Sequence, residues 1–103
     1  MAEEIIAVFS GRLRAKDYLK EYAARSQVLT EIVASLPGFI SQQAFSFADG
    51  RGGRLVRFEF EEALDAWREH PEHVSAKEWG KAEVLASYTV DICRVVHSST
   101  FER

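Results

Sequence analysis

The chain has 103 residues, of which 47% are hydrophobic and 12% aromatic, and its 16 acidic and 13 basic side chains leave a net charge of −3. That length supports one domain with a single core, and the hydrophobic fraction excludes a chain that is mainly disordered. The acidic balance argues against nucleic acid or anionic lipid as a partner, and no run of about 18 apolar residues offers a membrane span. The N-terminal Glu3 and Glu4 lack the basic flank and apolar core of a secretory signal. One cysteine, Cys93, has no partner for an intramolecular disulfide, and it reads as a small buried hydrophobe in a reducing, cytoplasmic setting.

The first element is the β-branched run Ile5-Ile6-Ala7-Val8-Phe9 within residues 4–12, closed by Gly11, which reads as a strand apolar on both faces. From Ala15 to Leu36 the period changes. Tyr18, Tyr22, Leu29, Ile32, Val33 and Leu36 recur at steps of three and four, with Lys16, Lys20, Glu21, Arg25 and Glu31 between them, as in an amphipathic helix. Pro37-Gly38 ends it.

Residues 39–47 alternate, with Phe39, Ser41, Gln43, Phe45 and Phe47 on one side and Ile40, Gln42 and Ala44 on the other. The turn Asp49-Gly50-Arg51-Gly52-Gly53 leads into a third strand over 54–61, so the pair reads as an antiparallel hairpin. This glycine turn joins two strands and lacks the Lys-Ser/Thr of a phosphate-binding loop. The third strand is also acidic where RNA-recognition domains are basic, which argues against RNA.

The segment from Phe58 to Trp79 holds both Trp and two of the three His residues. A strand ends near Glu61 and a short helix follows to His70, where Pro71 stops it and opens a second helix at its tolerant first position, running to about Ala86. A last strand over 88–96 sets Tyr88, Val90, Ile92 and Arg94 on one face and Thr89, Asp91, Cys93 and Val95 on the other. A tail, 97–103, completes a single domain.

Strand, helix, hairpin, helix pair and strand, joined by right-handed crossovers, give an α+β, ferredoxin-like four-stranded antiparallel sheet with all helices on one face. The other face then meets water and is expected to be polar. Instead Ile6 and Val8 supply an apolar pair, and the hairpin adds Phe39, Phe45, Phe47, Val56, Phe58 and Phe60. A face that apolar predicts a homodimer stacked sheet against sheet into a shared barrel.

The run from Phe60 to His73, Phe-Glu-Glu-Ala-Leu-Asp-Ala-Trp-Arg-Glu-His-Pro-Glu-His, resembles the signature of the antibiotic biosynthesis monooxygenase domain. Leu36-Pro37-Gly38-Phe39 and the closing Tyr88-Thr89-Val90 strand extend the likeness over nearly the whole chain. The resemblance implies a dimeric α+β barrel. It also implies an oxygenase acting on a small aromatic substrate with O₂ and no flavin, haem or metal. Haem-degrading relatives of that family use an Asn on the first strand, a Trp and a His some ten residues later. Here residues 5–10 contain no Asn and the position ten after Trp67 is Lys77, so haem degradation is not expected.

Cofactor-free oxygenation needs a dry site, a flat wall for the ring and a base for the phenolic proton, a role that histidine suits near neutral pH. Trp67 and His70 are three residues apart on one helical face, with His73 a turn further on, and these three are the candidate catalytic group. Each has a structural alternative: Trp67 as a core anchor, His70 as a cap for the following helix, His73 as a surface or dimer-contact residue. Trp79 and Tyr88 are candidate ring-binding residues, as are Tyr18 and Tyr22, and all four also fit plain packing. Arg94 could face a phenolate or lie at an edge with its head group in solvent. Three His residues without a carboxylate or Cys pattern give no metal site. A non-catalytic dimer binding a small apolar ligand, or serving a stress or regulatory role, is the alternative from another functional class.

Overall fold

The computed structural model describes residues 3–103. Strand β1 (Ile5–Leu13) is followed by a 3₁₀ turn at Lys16–Tyr18 and helix α1 (Leu19–Ala34). The hairpin comprises β2 (Phe39–Ser46) and β3 (Gly52–Phe58), then come α2 (Glu61–Glu69), α3 (Pro71–Trp79), a π-helical turn at Gly80–Val84, and β4 (Leu85–Arg94). The sheet order is β2-β3-β1-β4 with every neighbouring pair antiparallel, and the helices pack on one face. This is the ferredoxin-like arrangement expected from the order of elements. The second helix of the pair ends earlier than expected, at Trp79, because the chain widens into the π-helical turn and Leu85 already lies in the strand.

Chain reversals fall where glycine permits them. After α1, Gly38 takes φ +87°, and its carbonyl accepts from the Glu59 N–H at 2.7 Å, tying the start of β2 to the end of β3. A methyl group there would sit 2.6 Å from the Ala63 Cβ, so glycine is required both for the backbone angle and for the approach of α2.

The core lies between helices and sheet. Ile5, Val33, Val56, Phe58, Ala63, Leu64 and Trp67 are buried together, with Phe58 wholly inaccessible, and Phe39 and Phe60 pack against them. Helix α2 carries Ala63, Leu64 and Trp67 inward at the spacing of one helical face, while Glu61 and Glu62 in its first turn complement the helix dipole.

The make-up of the open face differs from the expectation. Phe39 pairs with Phe58, whereas Ser41 pairs with Arg57, so the register slips by one residue at Ile40 and breaks the simple alternation of β2. Phe39, Val56, Phe58 and Phe60 therefore belong to the helix-side core. What remains apolar on the open face is a smaller patch of Ile6, Val8, Leu55 and Phe45, all half-buried in the single chain. Phe47 packs edge-on against Phe45 at 5.3 Å beneath the Arg51 guanidinium. Cys93 is also corrected: it lies on the open face of edge strand β4 opposite Ile6 and is exposed, because no helix covers that side.

Candidate functional site

A cavity of about 470 Å³ lies between the sheet and the helical layer. Its floor comes from Ala7 and Phe9 of β1, Arg54 and Val56 of β3, and Tyr88, Val90 and Ile92 of β4, all on the helix-side face by register. The roof is formed by α1 through Tyr22, Leu29 and Val33, by α2 through Leu64, Trp67 and Arg68, and by α3 through His73, Lys77 and Trp79. Val90 and Ile92 are 48% and 45% exposed, so the β4 edge is where the space meets solvent.

Trp67 is buried in the core cluster and also lines the cavity. The His73 ring stands 4.7 Å from the Trp67 ring, centroid to centroid. Its Nδ1 is buried and has no hydrogen-bond partner among the described residues. Burial drives the His73 pKa below its ordinary value of 6.5, with the Arg68 backbone acting in the other direction and the charges of Lys77 and Arg68 nearby lowering it further. The imidazole is therefore mainly neutral at pH 7, the form that accepts a proton.

His70 is placed differently. Its backbone is extended (φ −61°, ψ 131°), as Pro71 demands of the residue before it, and its Nδ1 accepts from the Glu72 N–H at 3.1 Å. It caps α3 with its ring 5.9 Å from Trp67, outside the cavity wall. Trp79 lines the cavity with the Arg25 guanidinium 4.0 Å above its ring, bridging α3 to α1. Tyr88 lines the floor, stacked on Phe9 at 5.8 Å. Arg94, opposite Ile5 at the far end of β4, is exposed and takes no part in the cavity wall. Tyr22 is in the wall and Tyr18 is not.

The cavity wall also has a polar part that the sequence reading does not include. Arg54 is half-buried, and its Nη1 donates to Gln42 Oε1 at 2.9 Å and to Thr30 Oγ1. The Gln42 side-chain amide in turn donates to the Thr30 carbonyl at 3.2 Å, joining β2 and β3 to α1. Beside them burial raises the Tyr22 pKa, against the lowering influence of Arg54 and a hydrogen bond with Ser26, so the phenol stays protonated. The signal for Arg54 was parity: it lies two residues before Val56 and four before Phe58, on the inward face of its strand. Among the described residues no group of three or more His, Cys, Asp and Glu side chains is arranged to hold a metal ion.

A β2-β3-β1-β4 sheet under one helical layer, with an aromatic-walled cavity between them, is the fold this chain shares with solved structures of antibiotic biosynthesis monooxygenase-like proteins. A mutant form of SnoaB, a cofactor-independent oxygenase from Streptomyces nogalater, matches it with a TM-score of 0.78 over 94% of this chain and 97% of its own, at 12% identity. A candidate antibiotic biosynthesis monooxygenase from Nitrosomonas europaea gives a TM-score of 0.79 over 97% of both chains, at 10% identity. Likeness at these identities establishes the fold and leaves the reaction to the site. No family model matches the sequence. The chain belongs to the family of YqjZ, an uncharacterized protein of Bacillus subtilis (strain 168), with 31% identity over 81 residues that cover 79% of this chain and 71% of YqjZ.

Proposed function

We propose that this protein is a cofactor-independent monooxygenase that oxidises a hydroxylated aromatic (a quinol, phenol or polyketide-like ring) with O₂. The observation that carries this reading is a neutral, partly unsatisfied imidazole, His73, set against the Trp67 indole in the wall of one cavity. In the proposed reaction a phenolic O–H gives its proton to His73. The electron-rich anion then passes an electron to O₂, and the two radicals combine to form a C–O bond. Loss of the C–H proton at that carbon then breaks the O–O bond, so that one oxygen stays on the ring as a carbonyl and the other leaves as water with that hydrogen and the phenolic proton returned by His73. Trp67 supplies a flat wall that orients the ring, and Trp79 and Tyr88 complete the aromatic lining. Away from the β4 edge the mainly apolar lining lowers the local dielectric and strengthens each polar contact with the developing anion.

The homodimer belongs to the same proposal. Ile6, Val8, Leu55 and Phe45 form an apolar patch that no helix covers, and a second copy stacked through a two-fold axis would exclude water from it. The free thiol of Cys93 fits a cytoplasmic location. Among the described residues no helix is long and apolar enough to cross a membrane.

Oxygen uptake with a panel of hydroquinones, phenols and anthrones, in the presence of a chelator, tests the reaction. The wild-type protein is expected to consume O₂ with at least one of them, and His73→Ala is expected to reduce the rate by about 10²-fold or more. Uptake that survives both His73→Ala and Trp67→Phe would remove these residues from the mechanism. The apolar majority of the cavity wall also suits the alternative, a non-catalytic dimer binding a small ligand. Ligand binding without any oxygen uptake would select it.

A further inference from the structure

The charge around the cavity runs against the charge of the chain. The protein as a whole is acidic, at −3, yet the cavity wall contains four cationic side chains, Arg25, Arg54, Arg68 and Lys77, and no Asp or Glu. Arg25 is accounted for by Glu21, at 3.1 Å, and by the Trp79 ring. Arg54 is not. It is half-buried, and no carboxylate of the described residues lies within ion-pair distance of it.

Its hydrogen bonds are also one-sided. Both protein acceptors, Gln42 Oε1 and Thr30 Oγ1, are reached by Nη1, which leaves Nε and Nη2 without a hydrogen bond to the described residues. The two neutral acceptors fix the plane of the guanidinium and leave its charge uncompensated. A partly desolvated guanidinium is best matched by a planar anion that takes two parallel N–H donors. The neighbouring Tyr22, protonated and in the same wall, offers a further donor.

We propose that the ligand of this cavity is an aromatic acid, its carboxylate held by Arg54 and its ring by the aromatic wall. Only the placement of its phenol toward His73 rests on the oxygenase reading. Arg68 and Lys77 then contribute a positive potential that draws the anion into the mouth, an effect that salt weakens.

The test is a binding measurement under nitrogen, so that turnover plays no part, with 3-hydroxy-2-naphthoate and its neutral carboxamide as matched probes. Calorimetry on the wild-type protein at low salt is expected to give the acid at least about tenfold tighter binding than the amide, since only the acid makes a charge-assisted pair. In Arg54→Gln the two affinities should come within about twofold through loss of acid binding alone, and Arg54→Lys should recover part of the preference. Equal affinities in the wild-type protein would overturn the proposal, and so would a preference that persists in Arg54→Gln. If Arg54→Gln fails to fold, the wild-type comparison and the Arg54→Lys variant still decide, with an unchanged preference in the latter ruling out a bidentate fork. Oxygen uptake is scored separately. Acid-selective binding without uptake leaves the anion site standing and removes the oxygenase, whereas uptake from neutral phenols with no acid preference does the reverse.

Discussion

His73 and Trp67 sit with ring centroids 4.7 Å apart and planes inclined by 47°, although Pro71 separates the helices that carry them. The break turns α3 back over the indole, and the imidazole lands where the cavity meets the core. The same contact buries the ring and shifts its titration, which makes the pair the most informative place to perturb.

Truncation of Trp67 should separate its two roles. Trp67→Ala removes a buried side chain shared by core and cavity, and is expected to cost about 3–5 kcal/mol in chemical denaturation. Trp67→Phe keeps most of the packing, with an expected cost of about 1–3 kcal/mol. Its rate of oxygen uptake should nevertheless fall by more than the loss of folded protein explains. A rate that only follows the folded fraction would leave Trp67 as a core anchor.

The pH dependence follows from His73. Its folded-state pKa lies below 6.5, so between that value and 6.5 the unfolded chain binds more protons than the folded one. The stability from this neutral ring is therefore complete above about 6.5 and is lost as pH falls toward the folded value. Oxygen uptake should show its acid limb in the same window, below 6.5, and His73→Ala should abolish that limb. A limb at or above 6.5 would mean that another group sets it.

His70 offers a contrast on the same segment. Its Nδ1 accepts from the Glu72 N–H, so His70→Ala should cost about 0.5–2 kcal/mol of stability, and His70→Asn should restore most of it. Oxygen uptake per folded molecule should stay within about twofold of wild type, because a cap acts on folding rather than on the reaction. A large loss of rate in well-folded His70→Asn would return His70 to the catalytic group.

The open face gives a prediction about assembly. Val8 pairs with Leu55 across β1 and β3 at the middle of the uncovered patch, so Val8→Lys would set charges against each other across a two-fold stack. Sedimentation at micromolar concentration should find the wild-type protein dimeric and Val8→Lys monomeric. A monomeric wild-type protein would end the shared-barrel proposal.

Gly38→Ala tests the corner that sets α2 on the sheet. The backbone angle of +87° and the 2.6 Å approach to Ala63 both oppose a side chain, and the loss should exceed about 1 kcal/mol in denaturant titration. Gly52 meets nothing within 4 Å, so Gly52→Ala should change stability far less.

The amino-acid order by itself determined the succession of elements, the corner at Pro37-Gly38 and the stop at Pro71. These are local matters, fixed by period, by a missing N–H or by an allowed φ, and they were sufficient for the ferredoxin-like fold. It also gathered Trp67, His70 and His73 into one segment. Which imidazole faces the cavity depended on the angle between α2 and α3, and only packing sets that angle. The slip at Ile40 moved Phe39 into the core and thinned the open face, a choice made by pairing with Phe58 rather than by alternation within β2. Arg54 became part of a site only when β3, β2 and α1 met around it and brought two neutral acceptors but no carboxylate of the described residues.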